Sequence, residues 1–188
     1  MRLFLAVWLS EELREAVGDW LGEITAGSSG IKWVPPGQLH FTLKFLGEQD
    51  PEFVTGLSPH LRQVAATTPS FPLTLAGGGT FPPRGKPRVL WLGVDEGHNE
   101  LAALAGRVEA AVLEANPRGL APEKRGFKPH LTIGRVKGEV PLYDNKLLAA
   151  GVKGRMTVKG FSLVESRLTP QGPRYRDVEE YFLRDPFS

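Results

Sequence analysis

The chain has 188 residues, 41% of them hydrophobic and 23% charged, a balance that suits a folded globular protein and excludes a disordered one. It contains no cysteine, which excludes disulfide scaffolds, thiol nucleophiles and cysteine-bound metals together. A net charge of +2, with a pI near 9.0, permits an anionic substrate but is too small to argue for nucleic acid by itself.

Residues 2–9 are apolar and run into Ser10-Glu11-Glu12 instead of a small-residue cleavage site, so they predict a buried strand and not a signal peptide. Ser10 is placed to cap a helix whose buried stripe is Leu13, Val17, Trp20, Leu21 and Ile24. The stretch 27–30 ends that helix, and Val34-Pro35-Pro36-Gly37 makes a rigid bend. Residues 39–46 then alternate. Strict alternation puts Leu39, Phe41, Leu43 and Phe45 on the core face and His40, Thr42 and Lys44 together on the other.

Asp50-Pro51-Glu52 opens a second helix, expected to break or restart at Ser58-Pro59. A strand from Phe71 to Leu75 runs into glycines 77–79, and the proline-rich segment 81–87 reads as a loop. The opening order then returns. Val89 to Val94 is a strand, and Leu101, Leu104, Ala105, Val108, Val112 and Ala115 mark an amphipathic helix. After a loop rich in Pro, Gly and Lys comes Pro129-His130-Leu131-Thr132-Ile133, followed by strands over 155–168 and 175–183.

Strand, helix, loop and His-x-Thr strand thus occur twice, and the interval from His40 to His130 nearly equals that from Leu3 to Val89. The expectation is an α+β protein of two pseudo-symmetric lobes, each a mainly antiparallel sheet with helices, with the active site in the cleft between them. Residues 1–188 would form one bilobal domain with interleaved lobes and a pseudo-repeat of roughly 1–85 and 86–170. No segment has the eighteen or so consecutive apolar residues of a membrane span. A soluble, cytoplasmic monomer is therefore expected, with no protein partner implied.

Two of the four histidines carry a threonine two positions on. One such strand histidine is commonplace, but two in equivalent places point to chemistry. An imidazole titrates near neutrality, so of a facing pair one can take a proton from an attacking oxygen while the other gives one to a departing oxygen. The group between them must gather negative charge, which fits a phosphodiester, and Thr42 and Thr132 could donate to its non-bridging oxygens.

These segments, His40-Phe41-Thr42-Leu43 and His130-Leu131-Thr132-Ile133, resemble the paired H-x-T-x motifs of the two-histidine (2H) phosphoesterases. The chain looks most like the RNA 2′,3′-cyclic phosphodiesterases of bacteria and archaea, also called 2′–5′ RNA ligases. The resemblance extends to Lys32-Trp33-Val34, Phe45-Leu46-Gly47, Pro87-Arg88, Trp91, Phe127 and Pro129, and to Ser166-Arg167-Leu168 with Gly172 and Tyr175. Gly134 departs from it, where members often have alanine. The resemblance implies His40 as proton donor to the O3′ leaving group, His130 as proton acceptor from water, and a 2′-phosphate product. It also implies Arg135 as a phosphate ligand, a role that suits a guanidinium. The implied substrates are RNA ends or nucleotides bearing a 2′,3′-cyclic phosphate.

No cofactor or metal is expected, because two histidines lack a third ligand. The stretch 77–87 fails as a phosphate-binding P-loop: Thr80 stands where glycine is needed, and Pro87 where Ser or Thr is needed. It reads as a loop bordering the cleft, with Arg84, Lys86 and Arg88 as candidate RNA guides or plain surface charge. His60 and His98 read as surface residues, Phe41 and Phe45 as core, and Trp33 and Phe127 as either core or base-stacking rings. Two other readings share the same residues: reversible 2′–5′ RNA ligation, and a nucleotide- or RNA-end-binding module without turnover.

Overall fold

The first apolar run forms β1 (Arg2–Trp8) in a computed structural model that describes residues 1–115, 120–138 and 141–187. The loop expected before the second motif falls partly on 116–119, outside the described residues. Ser10 caps α1 (Glu11–Thr25) by accepting from the Leu13 amide, and the predicted stripe of that helix is buried. Asp50 and Asp144 cap α2 (Pro51–Ala66) and α4 (Asn145–Ala150) in the same way. Each such cap contributes about 1 kcal/mol.

Among the described residues, nine strands form two antiparallel sheets. The first has the order β3 (His40–Glu48), β1, β8 (Gly160–Thr169), β9 (Gly172–Phe182). The second runs β2 (Ile31–Trp33), β6 (Leu131–Val136), β5 (Val89–Val94), β4 (Phe71–Phe81), β7 (Gly154–Val158). Helices α2 and α3 (His98–Ala115) pack on each other, and α1 lies on β7. The architecture is α+β and two-lobed, as expected. No helix among the described residues is long and apolar enough to cross a membrane.

Several local expectations fail for identifiable reasons. Helix α2 continues through Pro59. A proline inside a helix costs about 3 kcal/mol, but Leu57 and Leu61 on either side are fully buried and hold the segment on the core. Strand β4 does not stop at its glycines, because they let neighbouring backbone and a ring approach closely. A Cβ on Gly78 would lie 2.4 Å from the Leu148 carbonyl oxygen, and one on Gly79 would lie 2.7 Å from the Trp91 ring. The single strand expected over 155–168 is two strands, one in each sheet, and the chain changes sheets at Lys159.

The most consequential departure lies in the motif strands. Leu5 pairs with Lys44 and Ala6 with Thr42, so Leu43 has no partner and forms a bulge. In the second lobe Leu90 pairs with Gly134 and Trp91 with Thr132, leaving Ile133 unpaired in the equivalent place. An extra residue reverses the alternation beyond it. Lys44 therefore turns inward, 4% exposed, and pairs with Glu109 at 3.4 Å and Glu123 at 3.1 Å. Phe45 turns outward and is 64% exposed. Both were expected on the opposite face.

Candidate active site

Between the two sheets lies a cavity of about 510 Å³, lined by His40, Thr42 and Phe45 from one motif strand and His130, Thr132 and Arg135 from the other. All five residues singled out from the sequence meet there. Phe45 joins them because it follows His40 by five positions, as Arg135 follows His130, and the matching bulges turn both into the cleft. Equal spacing in the two motifs was the signal that strict alternation concealed.

Each histidine is oriented by its own chain. His40 Nδ1 lies 2.7 Å from the Gln38 carbonyl oxygen, and His130 Nδ1 lies 2.7 Å from that of Lys128. A carbonyl only accepts, so each Nδ1 carries the proton and Nε2 is left for the cavity. The ring of Phe81 meets His130 edge-on at 5.2 Å and stacks on Trp91 at 5.3 Å. His40 is more enclosed. Phe4, Trp8 and Tyr175 surround it with ring centroids at 5.0, 5.3 and 5.5 Å. This burial lowers the His40 pKa from its ordinary 6.5; the bond to the Gln38 carbonyl opposes the shift and the charge of Arg135 adds to it.

The hairpin of β8 and β9 reaches back toward this site. Gln38 Nε2 donates to the Pro173 carbonyl oxygen at 3.0 Å, so the residue whose backbone orients His40 also holds the hairpin with its side chain. Burial raises the Tyr175 pKa, against the charges of Arg135 and Arg2. The cavity wall contains Arg2, Lys32 and Arg135, and among the described residues no carboxylate lines it. Such a space favours an anion.

The remaining candidates separate cleanly. Trp33 lines the cavity and donates from Nε1 to Ser28 Oγ at 3.0 Å, whereas Phe127 packs against the core. Arg84, Lys86 and Arg88 are exposed but do not line the cavity, so the loop expected to border the cleft contributes no charge to it. His98 is exposed, and His60 faces Glu114 at 3.5 Å, half-buried instead of on the open surface. At Gly134 a Cβ would lie 2.9 Å from Ile31 Cγ2 and 3.1 Å from the Trp33 ring, so the missing methyl lets β2 pack closely.

The model of the 2′-5′ RNA ligase superfamily matches residues 9–169. Among curated proteins, the RNA 2′,3′-cyclic phosphodiesterase of Archaeoglobus fulgidus is 39% identical over 183 residues, covering 96% of this chain and 99% of the relative. That of Thermus thermophilus is 37% identical, covering 98% and 91%. Among solved structures, a Thermus thermophilus protein superposes with a TM-score of 0.83 at 33% identity, over 99% of this chain and all of that one. Escherichia coli LigT complexed with 3′-AMP superposes with a TM-score of 0.78 at 27% identity, over 97% of each chain.

Proposed function

The chain belongs to the 2′-5′ RNA ligase superfamily, and from that membership we propose that it hydrolyses 2′,3′-cyclic phosphates at RNA ends to 2′-phosphates, without metal. The observation that carries this reading is the convergence of both His-x-Thr pairs and Arg135 on one cavity whose charged lining is cationic. Escherichia coli LigT, a relative of the same fold, is complexed with nucleotides and with phosphate in solved structures, which fits such a cavity.

In this mechanism water attacks phosphorus and loses a proton to Nε2 of His130. The P–O3′ bond breaks, and O3′ takes the proton carried by Nε2 of His40. The products are a 2′-phosphate and a free 3′-hydroxyl. The histidines end with their protonation exchanged and are reset through solvent. Thr42, Thr132 and Arg135 balance charge on the non-bridging oxygens. Phe45 offers a flat, exposed ring on which the terminal base can stack. The same geometry would serve 2′–5′ ligation when a 5′-hydroxyl replaces water, the reaction for which the superfamily is named.

The test is turnover of an oligoribonucleotide ending in a 2′,3′-cyclic phosphate, in EDTA, with the product terminus assigned. A 2′-phosphate is expected, with His40→Ala and His130→Ala each losing at least about 10²-fold in kcat. A metal requirement, a 3′-phosphate product or near-normal activity in either variant would overturn the reading. An added 5′-hydroxyl strand, joined or left unjoined, separates ligation from hydrolysis.

A further inference from the structure

The cavity holds more positive charge than one cyclic phosphate uses. That group carries a single negative charge, and Arg135 with two threonine hydroxyls already faces it. Lys32 and Arg2 remain. Lys32 pairs with Arg135 in the β2–β6 ladder, so the two cations stand opposite each other and both line the cavity. Opposed residues on an antiparallel pair have Cβ atoms about 5 Å apart, where like charges repel. Among the described residues neither has an ion-pair partner.

Arg2 enters from the other lobe. Its opposite in the β1–β3 ladder is Glu48, but Glu48 pairs with the amino terminus of Met1 at 3.4 Å and leaves Arg2 to the cavity. The Lys32 ammonium sits by the hairpin turn, where a Cβ on Gly172 would meet it at 3.1 Å. Cations from both lobes therefore line one cavity, with no carboxylate among the described residues in its wall to neutralise them. A pair of opposed cations is stable when an anion lies between or above them.

We propose that Lys32 and Arg2 form a second phosphate site, which holds the phosphodiester joining the terminal nucleotide to the one before it. The site rests on the reading of the cleft as a cyclic-phosphate site and deepens it: the enzyme selects chain ends over free nucleosides. A mononucleoside 2′,3′-cyclic phosphate has no group to fill the second site, whereas any dinucleotide does. Because the contact is to backbone, it carries no base preference.

The experiment compares adenosine 2′-phosphate with the dinucleotide ApA ending in a 2′-phosphate, by calorimetric binding at several salt concentrations, in wild type, Lys32→Ala, Arg2→Ala and Lys32→Arg. The matching 2′,3′-cyclic phosphates are assayed for kcat/KM. In wild type the dinucleotide should bind about tenfold tighter or more, and its log–log salt dependence should be steeper by about 0.7 for the added phosphate. In both alanine variants the affinity ratio and the extra slope should fall toward those of the mononucleotide, and Lys32→Arg should restore most of the ratio.

Equal losses on both ligands would overturn the proposal by assigning these cations to the scissile phosphate. A ratio unchanged by the variants, or absent in wild type, would overturn it as well. Failure of the cyclic-phosphate reading is distinct, since it shows as wild-type protein that turns over neither cyclic substrate whatever its affinity ratio. Both side chains are exposed at the start of a strand or on a short one, so their truncation leaves the core intact, and equal melting temperatures check this.

Discussion

Two histidines given the same tautomer by the same backbone device differ in their surroundings, and the difference is measurable. His40 sits among Phe4, Trp8 and Tyr175, and burial disfavours its imidazolium. If it donates the proton to O3′, it must be charged to act. The alkaline limb of the pH profile of kcat/KM, where His40 loses its proton, should then lie below 6.5. Tyr175→Ala admits water to one side of the ring, relieves part of the burial that is the largest cause of the shift and should move that limb to higher pH. Titration of the imidazole Cε1 proton by NMR follows the same group without substrate. A limb that stays in place, or moves down, would remove Tyr175 from this role.

At the level of strands, the two bulges decide what the cleft contains. The sequence made His40, Thr42, His130 and Thr132 legible because they precede the unpaired residue, where alternation still holds. Beyond Leu43 the same rule inverts, so Phe45 was misread as core and Lys44 as surface. Nothing in the composition of Thr42-Leu43-Lys44 announces a bulge, because its cause is the ladder with β1. Helix α1 was readable from its cap and stripe and α3 from its stripe, signals that are local. Strand β2 was not, because a three-residue strand owes its existence to neighbours far along the chain; β7 was legible as strand, but not its break from β8, which depends on which sheet each one joins. The glycines of β4 make a testable case: Gly78→Ala pushes a methyl into the Leu148 carbonyl. It should cost about 1–3 kcal/mol and lower the melting temperature by several degrees, with kcat retained.

Across the whole molecule, the lobes are held by polar contacts as well as by the shared core. Lys44 leaves the motif strand of the first sheet and reaches Glu109 on α3 and Glu123 in the following loop. Its ammonium is buried, whereas the two carboxylates keep access to water, with 26% and 58% side-chain exposure. Removing the cation strands no charge, so Lys44→Met should change stability by less than about 1 kcal/mol. Glu109→Ala leaves the buried ammonium short of a partner and should cost more, as urea denaturation of the two variants would show. The exchange of sheets at Lys159 has a consequence for how the protein is made. The first sheet takes β8 and β9, and the second takes β7, all from residues 154–182. A growing polypeptide leaving the ribosome therefore carries both histidine motifs before either sheet has all its strands. The cleft closes around them only when the last part of the message has been read, so a transcript cut short yields both motifs and no working enzyme.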